Sequence, residues 1–121
     1  MNYLKFTKFL KEDFEISNAK YISINFFRSE LILVFIWFWI LEKYYKFKKD
    51  EIINSHVEIL ISEIPKGFAS RPTVFKFVDQ AIEAKYIIKV SDQSDKRKWH
   101  LLPSEQTINE FEDWAKGFSG F

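Results

Sequence analysis

The chain has 121 residues, which is the size of one ordinary domain and too short for two, so we expect a single domain over residues 1–121. Hydrophobic residues make up 47% of it and aromatic residues 19%, against three glycines and three prolines, which excludes a disordered or collagen-like chain. The absence of cysteine excludes a disulfide framework and a thiolate metal site, and it fits a cytoplasmic location.

The formal net charge of +1 hides an uneven distribution. Residues 1–65 are neutral in sum, residues 66–100 hold eight basic against four acidic side chains, and residues 101–121 hold one basic against four acidic. A local excess of positive charge is what a specific nucleic-acid-binding surface needs. The segment 66–100 is therefore the first candidate for such a surface.

Helices are predicted for most of residues 1–48. Apolar side chains recur at three- and four-residue steps over residues 3–14, which predicts an amphipathic helix ending near Ser17. A second helix is predicted from about residue 22 to 47, and its middle, residues 31–41, is apolar on every side. Such a helix must be wrapped by other helices or buried against a second copy of the chain, and the second alternative implies a homodimer.

The same apolar segment bears on membranes. It has eleven residues, whereas a helix that crosses a bilayer needs about 20 apolar residues. We therefore expect no membrane span and no membrane partner.

The region from residue 55 onward predicts a helix, a tight turn and a second helix. A charged connection at 46–55 precedes a short helix that Pro65 and Gly67 terminate. Ser70 is a good N-cap for the following helix, and Pro72 is tolerated in its first turn. Five apolar residues at helical spacing mark the inner face of this second helix: Val74, Phe77, Val78, Ala81 and Ile82.

A hairpin and a last helix follow. Strands are predicted at 86–90 and 99–102, and residues 91–98 between them contain no apolar side chain, which predicts an exposed hairpin tip. Ser104 caps a last helix that extends over 104–118. The predicted fold is therefore mainly α with a small β-hairpin wing: a winged helix-turn-helix at 55–102, with extra N-terminal helices and a C-terminal helix.

A winged helix-turn-helix binds double-stranded DNA through short polar or basic residues on its second helix and on its wing. On this helix, 100° steps place such residues on the side opposite the apolar stripe, although a surface helix with ordinary charges would look the same. The predicted DNA-binding residues are Ser70, Arg71, Thr73, Lys76 and Gln80 on the helix, and Lys96, Arg97 and Lys98 at the hairpin tip.

Residues 70–89, SRPTVFKFVDQAIEAKYIIK, and the following VSDQSDKRKWHLLPSEQ resemble the recognition helix and wing of the MarR family of transcriptional regulators. The family's wing pattern, Asp-x-x-Asp-x-Arg, stands here as Asp92, Asp95 and Arg97 without a gap. The resemblance implies a dimeric DNA-binding regulator with Arg97 in the minor groove and with Asp92 and Asp95 bracing the wing. Because Lys85 stands where the family has glycine, a different helix C-cap is expected.

The sequence gives little support for a metal site, a cofactor site or a catalytic site. His56 and His100 are 44 residues apart, so a surface or wing histidine is favoured over a metal ligand, and no metal or cofactor is expected. No Gly-rich phosphate loop, nucleophile motif or paired-carboxylate signature is present, so the chain is predicted not to be an enzyme.

Two functions from different classes stay open. The favoured one is a sequence-specific DNA-binding transcriptional regulator, and the alternative is a winged-helix protein-interaction module without DNA binding. The family resemblance also implies a small aromatic or lipophilic effector. Four aromatic residues are candidates for lining its pocket, although packing in the core or a dimer is the favoured explanation for them: Phe35, Trp37, Phe38 and Trp39.

Overall fold

The structure is a computed structural model, and it describes residues 2–119. Within that range the elements follow one another as α1 (Tyr3–Lys20), α2 (Ile22–Phe27), α3 (Leu31–Asp50), α4 (Val57–Glu63), α5 (Arg71–Glu83), β1 (Ile87–Ser91), β2 (Trp99–Pro103) and α6 (Glu105–Lys116).

The fold is mainly α with one antiparallel hairpin, in which Ile87 pairs with Pro103 and Ser91 with Trp99. The succession of α4, a turn, α5 and the hairpin is winged-helix-like, with three helices before it and one after, which confirms the predicted fold class. Both strands lie within one residue of their predicted bounds.

Helix α5 begins and packs as its sequence predicts. The Ser70 hydroxyl accepts a hydrogen bond from the Thr73 amide at 3.3 Å, which caps the helix. Val74, Val78 and Ala81 are buried, as expected for the inner face. Helix α6 begins in the same way, because Ser104 accepts from the Thr107 amide at 3.3 Å.

The single helix predicted over residues 22–47 begins at residue 22 as expected, but it is interrupted after Phe27 and ends later than predicted. The helix is interrupted between α2 and α3, where Glu30 has an extended backbone with φ −141°. The break allows Phe27 to enter the core, where its ring stacks on Trp37 with centroids 6.1 Å apart. At the other end α3 continues to Asp50, so the first half of the expected connection 46–55 is helical.

Helix α3 is the centre of the core. It packs against α2, α5 and β2, and aromatic rings of α6 lie against Trp37. The chain itself therefore wraps most of the apolar segment, which is the first of the two predicted alternatives, while Leu31 and Phe38 stay exposed. Seven of its side chains are buried: Ile32, Leu33, Ile36, Trp37, Trp39, Ile40 and Leu41.

Helix α1 is buried far less. It extends to Lys20, beyond the predicted end near Ser17, and Ser17 is its one buried residue among those described. On the predicted apolar face, Tyr3, Leu10 and Phe14 stay 73%, 40% and 53% exposed. We call these three residues the α1 stripe. No helix within residues 2–119 has both the length and the apolar character to cross a membrane.

Helix α5 ends in a Schellman motif with lysine in the position that favours glycine. Lys85 has φ 68°, in the left-handed region. The Tyr86 amide donates to the Ala81 carbonyl at 2.9 Å, and the Lys85 amide donates to the Ile82 carbonyl at 3.0 Å. The cap therefore keeps the hydrogen bonds of a glycine cap but has a residue for which this backbone conformation is less favourable.

Candidate nucleic-acid interface

The predicted contact residues of α5 lie at the protein surface. Ser70, Arg71, Lys76 and Gln80 are exposed, and Thr73 is half-buried. The Ser70 and Thr73 hydroxyls lie 2.9 Å apart within the helix cap. Lys76 and Gln80 follow on the exposed side of the next turns, one and two turns beyond Pro72.

Arg71 has a partner that the sequence did not indicate. Its guanidinium forms a bidentate ion pair with Glu58 of α4, in which Nη1 donates to Oε2 at 2.8 Å and Nη2 donates to Oε1. The hydrogen bonds from Arg71 lower the pKa of the Glu58 carboxyl. Arg71 also lies over the Phe75 ring, 5.1 Å from its centroid. A phosphate or base must compete with Glu58 for Arg71.

Asp92 organises the start of the wing tip. Its Oδ1 accepts from the Ser94 hydroxyl at 2.7 Å, from the Ser94 amide at 2.8 Å and from the Asp95 amide at 3.0 Å. These hydrogen bonds, led by the Ser94 hydroxyl and followed by His100, hold the pKa of Asp92 well below its ordinary value. The carboxylate thus accepts the hydrogen bonds of the Ser94 and Asp95 amides in the turn, in place of a backbone carbonyl.

Asp95 organises the end of the tip. Its Oδ1 accepts from the Arg97 amide at 3.0 Å and from Arg97 Nε at 3.2 Å, and these hydrogen bonds lower the pKa of Asp95. The Arg97 side chain is nevertheless 92% exposed, and Lys96 and Lys98 beside it are exposed too. The pairing of Asp95 with a neighbouring guanidinium is therefore present, and it leaves Arg97 directed into solvent.

The wing tip and α4 share a surface cavity of about 490 Å³, which Glu58, Arg97 and Lys98 help to line. Because Glu58 also contacts Arg71, the start of α5, the start of α4 and the wing tip form one continuous surface. The surface carries positive charge from α5 and the wing and one carboxylate between them.

The base of the wing contains a polar cluster that the sequence did not predict. His56, just before α4, pairs through its backbone with His100 of β2, and the two imidazole rings stack with centroids 3.9 Å apart. His100 Nε2 lies 2.7 Å from Asp92 Oδ2. His100 is a wing histidine, as predicted, but it does not lie at the surface: it is 2% exposed, because the hairpin turns this position inward against Ser55.

The four aromatic residues considered for an effector pocket are divided between the core and the surface. The Trp37 ring packs on Phe27, and the Trp39 indole N–H donates to Glu63 at 2.7 Å, whereas Phe38 is mostly exposed. Phe35 lies against Phe68 with ring centroids 6.4 Å apart. Core packing accounts for the two tryptophans.

No protein-family model, no curated protein and no solved structure matches this chain.

Proposed function

We propose that this chain is a sequence-specific regulator that binds double-stranded DNA through α5 and the wing. The observation that carries the proposal is the wing tip. Two aspartates, Asp92 and Asp95, accept hydrogen bonds from the loop's own donors and leave Arg97 almost fully exposed at the end of a short hairpin. An exposed arginine on a rigid loop suits the narrow, electronegative minor groove of A·T-rich DNA.

The exposed residues of helix α5 also support the proposal. A winged helix-turn-helix places its second helix in the major groove, where lysine and glutamine bind base edges and phosphates. Lys76 and Gln80 are exposed on the side of α5 away from Val74 and Val78. The resemblance of residues 70–106 to the MarR family supports the same assignment.

The proposal includes a homodimer. Dimeric helix-turn-helix proteins bind half-sites about 34–36 Å apart, so that two modules share one operator. The α1 stripe is an exposed apolar surface of the kind that a second copy would cover. This location differs from the apolar segment of α3 to which the sequence points.

The first experiment asks whether the chain binds DNA at all. A gel shift with random genomic fragments at low salt detects both specific and general DNA binding, and selection of bound fragments then yields an operator. Specific retention of a subset of fragments is the expected result. If no fragment is retained at low salt, the proposed function is wrong.

The second experiment tests the wing with one selected duplex at two salt concentrations. Arg97→Ala is expected to weaken binding more than Lys48→Ala, although each removes one cation and Lys48 is exposed on α3. Asp95→Ala is expected to weaken binding as well, because it releases the Arg97 guanidinium. Charge alone predicts the opposite sign for Asp95→Ala, so tighter binding by that variant would remove the wing from the mechanism.

A protein-interaction module is the second candidate, and one observation favours it. Glu58 forms a bidentate ion pair with Arg71, and the carboxylates of Asp79 and Glu83 are also exposed on α5. The surface of α5 therefore carries less positive charge than the basic excess of residues 66–100 predicts. Replacing Glu58 with Gln frees Arg71 and removes a negative charge. If Glu58→Gln and the parent both fail to retain DNA, the interaction module becomes the better assignment.

A further inference from the structure

The cluster at the base of the wing has the composition of a metal site. Its three potential ligand atoms, one each from His56, Asp92 and His100, all lie within 4.8 Å of one another. Two imidazole nitrogens and one carboxylate oxygen form a donor set that binds Zn²⁺ and related divalent transition metals. The three residues come from the start of α4, the wing tip and β2, so the fold alone brings them together.

Backbone contacts fix the positions of these ligands. The Leu101 amide donates to the Ser55 carbonyl at 2.9 Å, which holds the segment before α4 against β2. Asp92 is fixed through Oδ1 by the tip donors, and this leaves Oδ2 directed at both histidines. The three side chains are therefore held close together before any ligand binds.

His56 has the hydrogen bonding of a metal-bound histidine. Its Nδ1 lies 3.2 Å from the Trp99 carbonyl oxygen, which can only accept, so the ring donates its proton there. In the neutral ring Nε2 then carries a lone pair, and it lies 3.8 Å from Asp92 Oδ2. A lone pair facing a carboxylate oxygen is stabilised by a cation between them, and metal-bound histidines are fixed by this type of carbonyl contact.

His100 supplies the second nitrogen. The Ser55 amide donates to His100 Nδ1 at 3.3 Å, so in the neutral ring the proton lies on Nε2 and is shared with Asp92 Oδ2. A metal ion takes the place of that proton. The ring proton then moves to Nδ1, which breaks the 3.3 Å hydrogen bond from the Ser55 amide.

The two distances to Asp92 need adjustments of less than 1 Å, and the ligand nitrogens of the two histidines lie within 4.8 Å of each other. In a tetrahedral zinc site with bonds of about 2.0–2.1 Å, ligand atoms lie about 3.4 Å apart. The 2.7 Å contact between His100 and Asp92 must therefore open, and the 3.8 Å contact between His56 and Asp92 must close slightly. A cavity of about 480 Å³, which Asp92, His100 and Glu51 help to line, gives an ion access to the cluster.

We propose that His56, Asp92 and His100 bind one divalent transition-metal ion, with Zn²⁺ as the ion of choice and a fourth position open to water. The ion joins the base of the wing to the start of α4, two segments distant in sequence. This proposal stands whether or not the chain binds DNA.

Calorimetric titration of the full chain, first stripped with a chelator and then freed of it, tests the proposal. Zn²⁺ is expected to bind once per chain and to raise the thermal unfolding midpoint, whereas Mg²⁺ is expected to do neither because it avoids imidazole. In the unmodified protein, Zn²⁺ is also expected to shift the Nε2 resonances of both histidines by nitrogen NMR. If these resonances do not move, or if no saturable binding appears, the site is not a metal site.

Variants locate the ion. His56→Phe, which keeps an aromatic ring against His100, and Asp92→Asn are each expected to weaken Zn²⁺ binding about tenfold or more. Asp79→Asn is the matched control, because it removes an exposed carboxylate on α5 that lies outside the cluster, and it is expected to bind Zn²⁺ as the parent does. Equal binding by the parent and a well-folded His56→Phe protein would overturn the assignment.

Discussion

The two longest helices, α1 and α3, are both rich in large apolar side chains, yet they differ in how many of these side chains are buried. Helix α3 buries seven side chains within the chain, whereas α1 buries Ser17 and leaves the α1 stripe exposed. The difference lies in the neighbours. Helix α3 contacts α2, α5 and β2. Helix α1 packs chiefly on α2 and touches α6 through Asp13, which accepts a hydrogen bond from the Trp114 indole at 2.9 Å.

This contrast shows that the apolar content of a helix predicts that it is buried, but does not predict whether its own chain or a second copy covers it. An all-round apolar helix can be covered by its own chain when enough elements surround it. A helix with one apolar stripe at the edge of the fold leaves surface for a second copy. If α3 is the core helix and α1 the interface helix, substitutions in the two helices should differ in their effects on stability and assembly.

The largest effect is expected from Trp37→Ala in α3. Trp37 is buried and packs on Phe27, Phe111 and Trp114, so its removal leaves a cavity and should cost about 3–5 kcal/mol of the free energy of unfolding. Urea denaturation followed by circular dichroism measures the loss. Leu31→Ala, at an exposed position of the same helix, is the control and should cost less than about 1 kcal/mol. Similar losses in both variants would mean that α3 is not the core helix.

The next effect is on assembly. Tyr3→Glu combined with Leu10→Glu places two charges in the α1 stripe, and we expect the proposed homodimer to dissociate while the monomer stays folded. Sedimentation velocity measures the mass. Leu4→Glu is the matched control, because Leu4 is 66% exposed but lies about 100° around the helix from Tyr3. A dimer that survives the double change must use another surface, and a monomeric parent would refute the homodimer.

A smaller effect is expected where α6 meets the end of α1. The Tyr21 hydroxyl donates to Asp113 at 2.5 Å, and this bond together with Lys20 lowers the pKa of Asp113. A lowered folded-state pKa stabilises the fold above the unfolded value of about 3.9, and this stabilisation is lost as the pH falls through the folded-state pKa. Tyr21→Phe should therefore be less stable than the parent at pH 7.

The difference between Tyr21→Phe and the parent should shrink as the solution is acidified below about pH 4. Urea denaturation at a series of pH values measures it. A constant difference across that range would show that the lost hydroxyl, rather than the Asp113 charge, accounts for the effect.

The smallest effect compares the ends of the two helices. Glu51, which caps α3, has φ 60°, where glycine is favoured, so Glu51→Gly should raise the free energy of unfolding by about 0.5–1 kcal/mol. Ala19→Gly, in the last turn of α1, should lower it by about as much, because this residue is helical. Chemical denaturation in the presence of a chelator measures both changes. Changes of the same sign would contradict the assigned backbone conformations.

The sequence by itself determined the helix-turn-helix and wing segment. The Ser70 and Ser104 caps, the apolar stripe of α5 and the charged hairpin tip all depend on residues within a few positions of one another. Hydrogen-bonding preferences and helical periodicity operate over that range, so these elements can be predicted from local sequence.

Only the tertiary structure decided the break before α3, the ion pair of Glu58 with Arg71, and the meeting of His56 and His100. Each depends on which distant segments share the core. Phe27 turns inward because Trp37 is there to stack on it, and His56 meets His100 because a backbone bridge joins the start of α4 to β2. Burial and proximity between such segments follow from the packing of the whole chain, which no local pattern encodes.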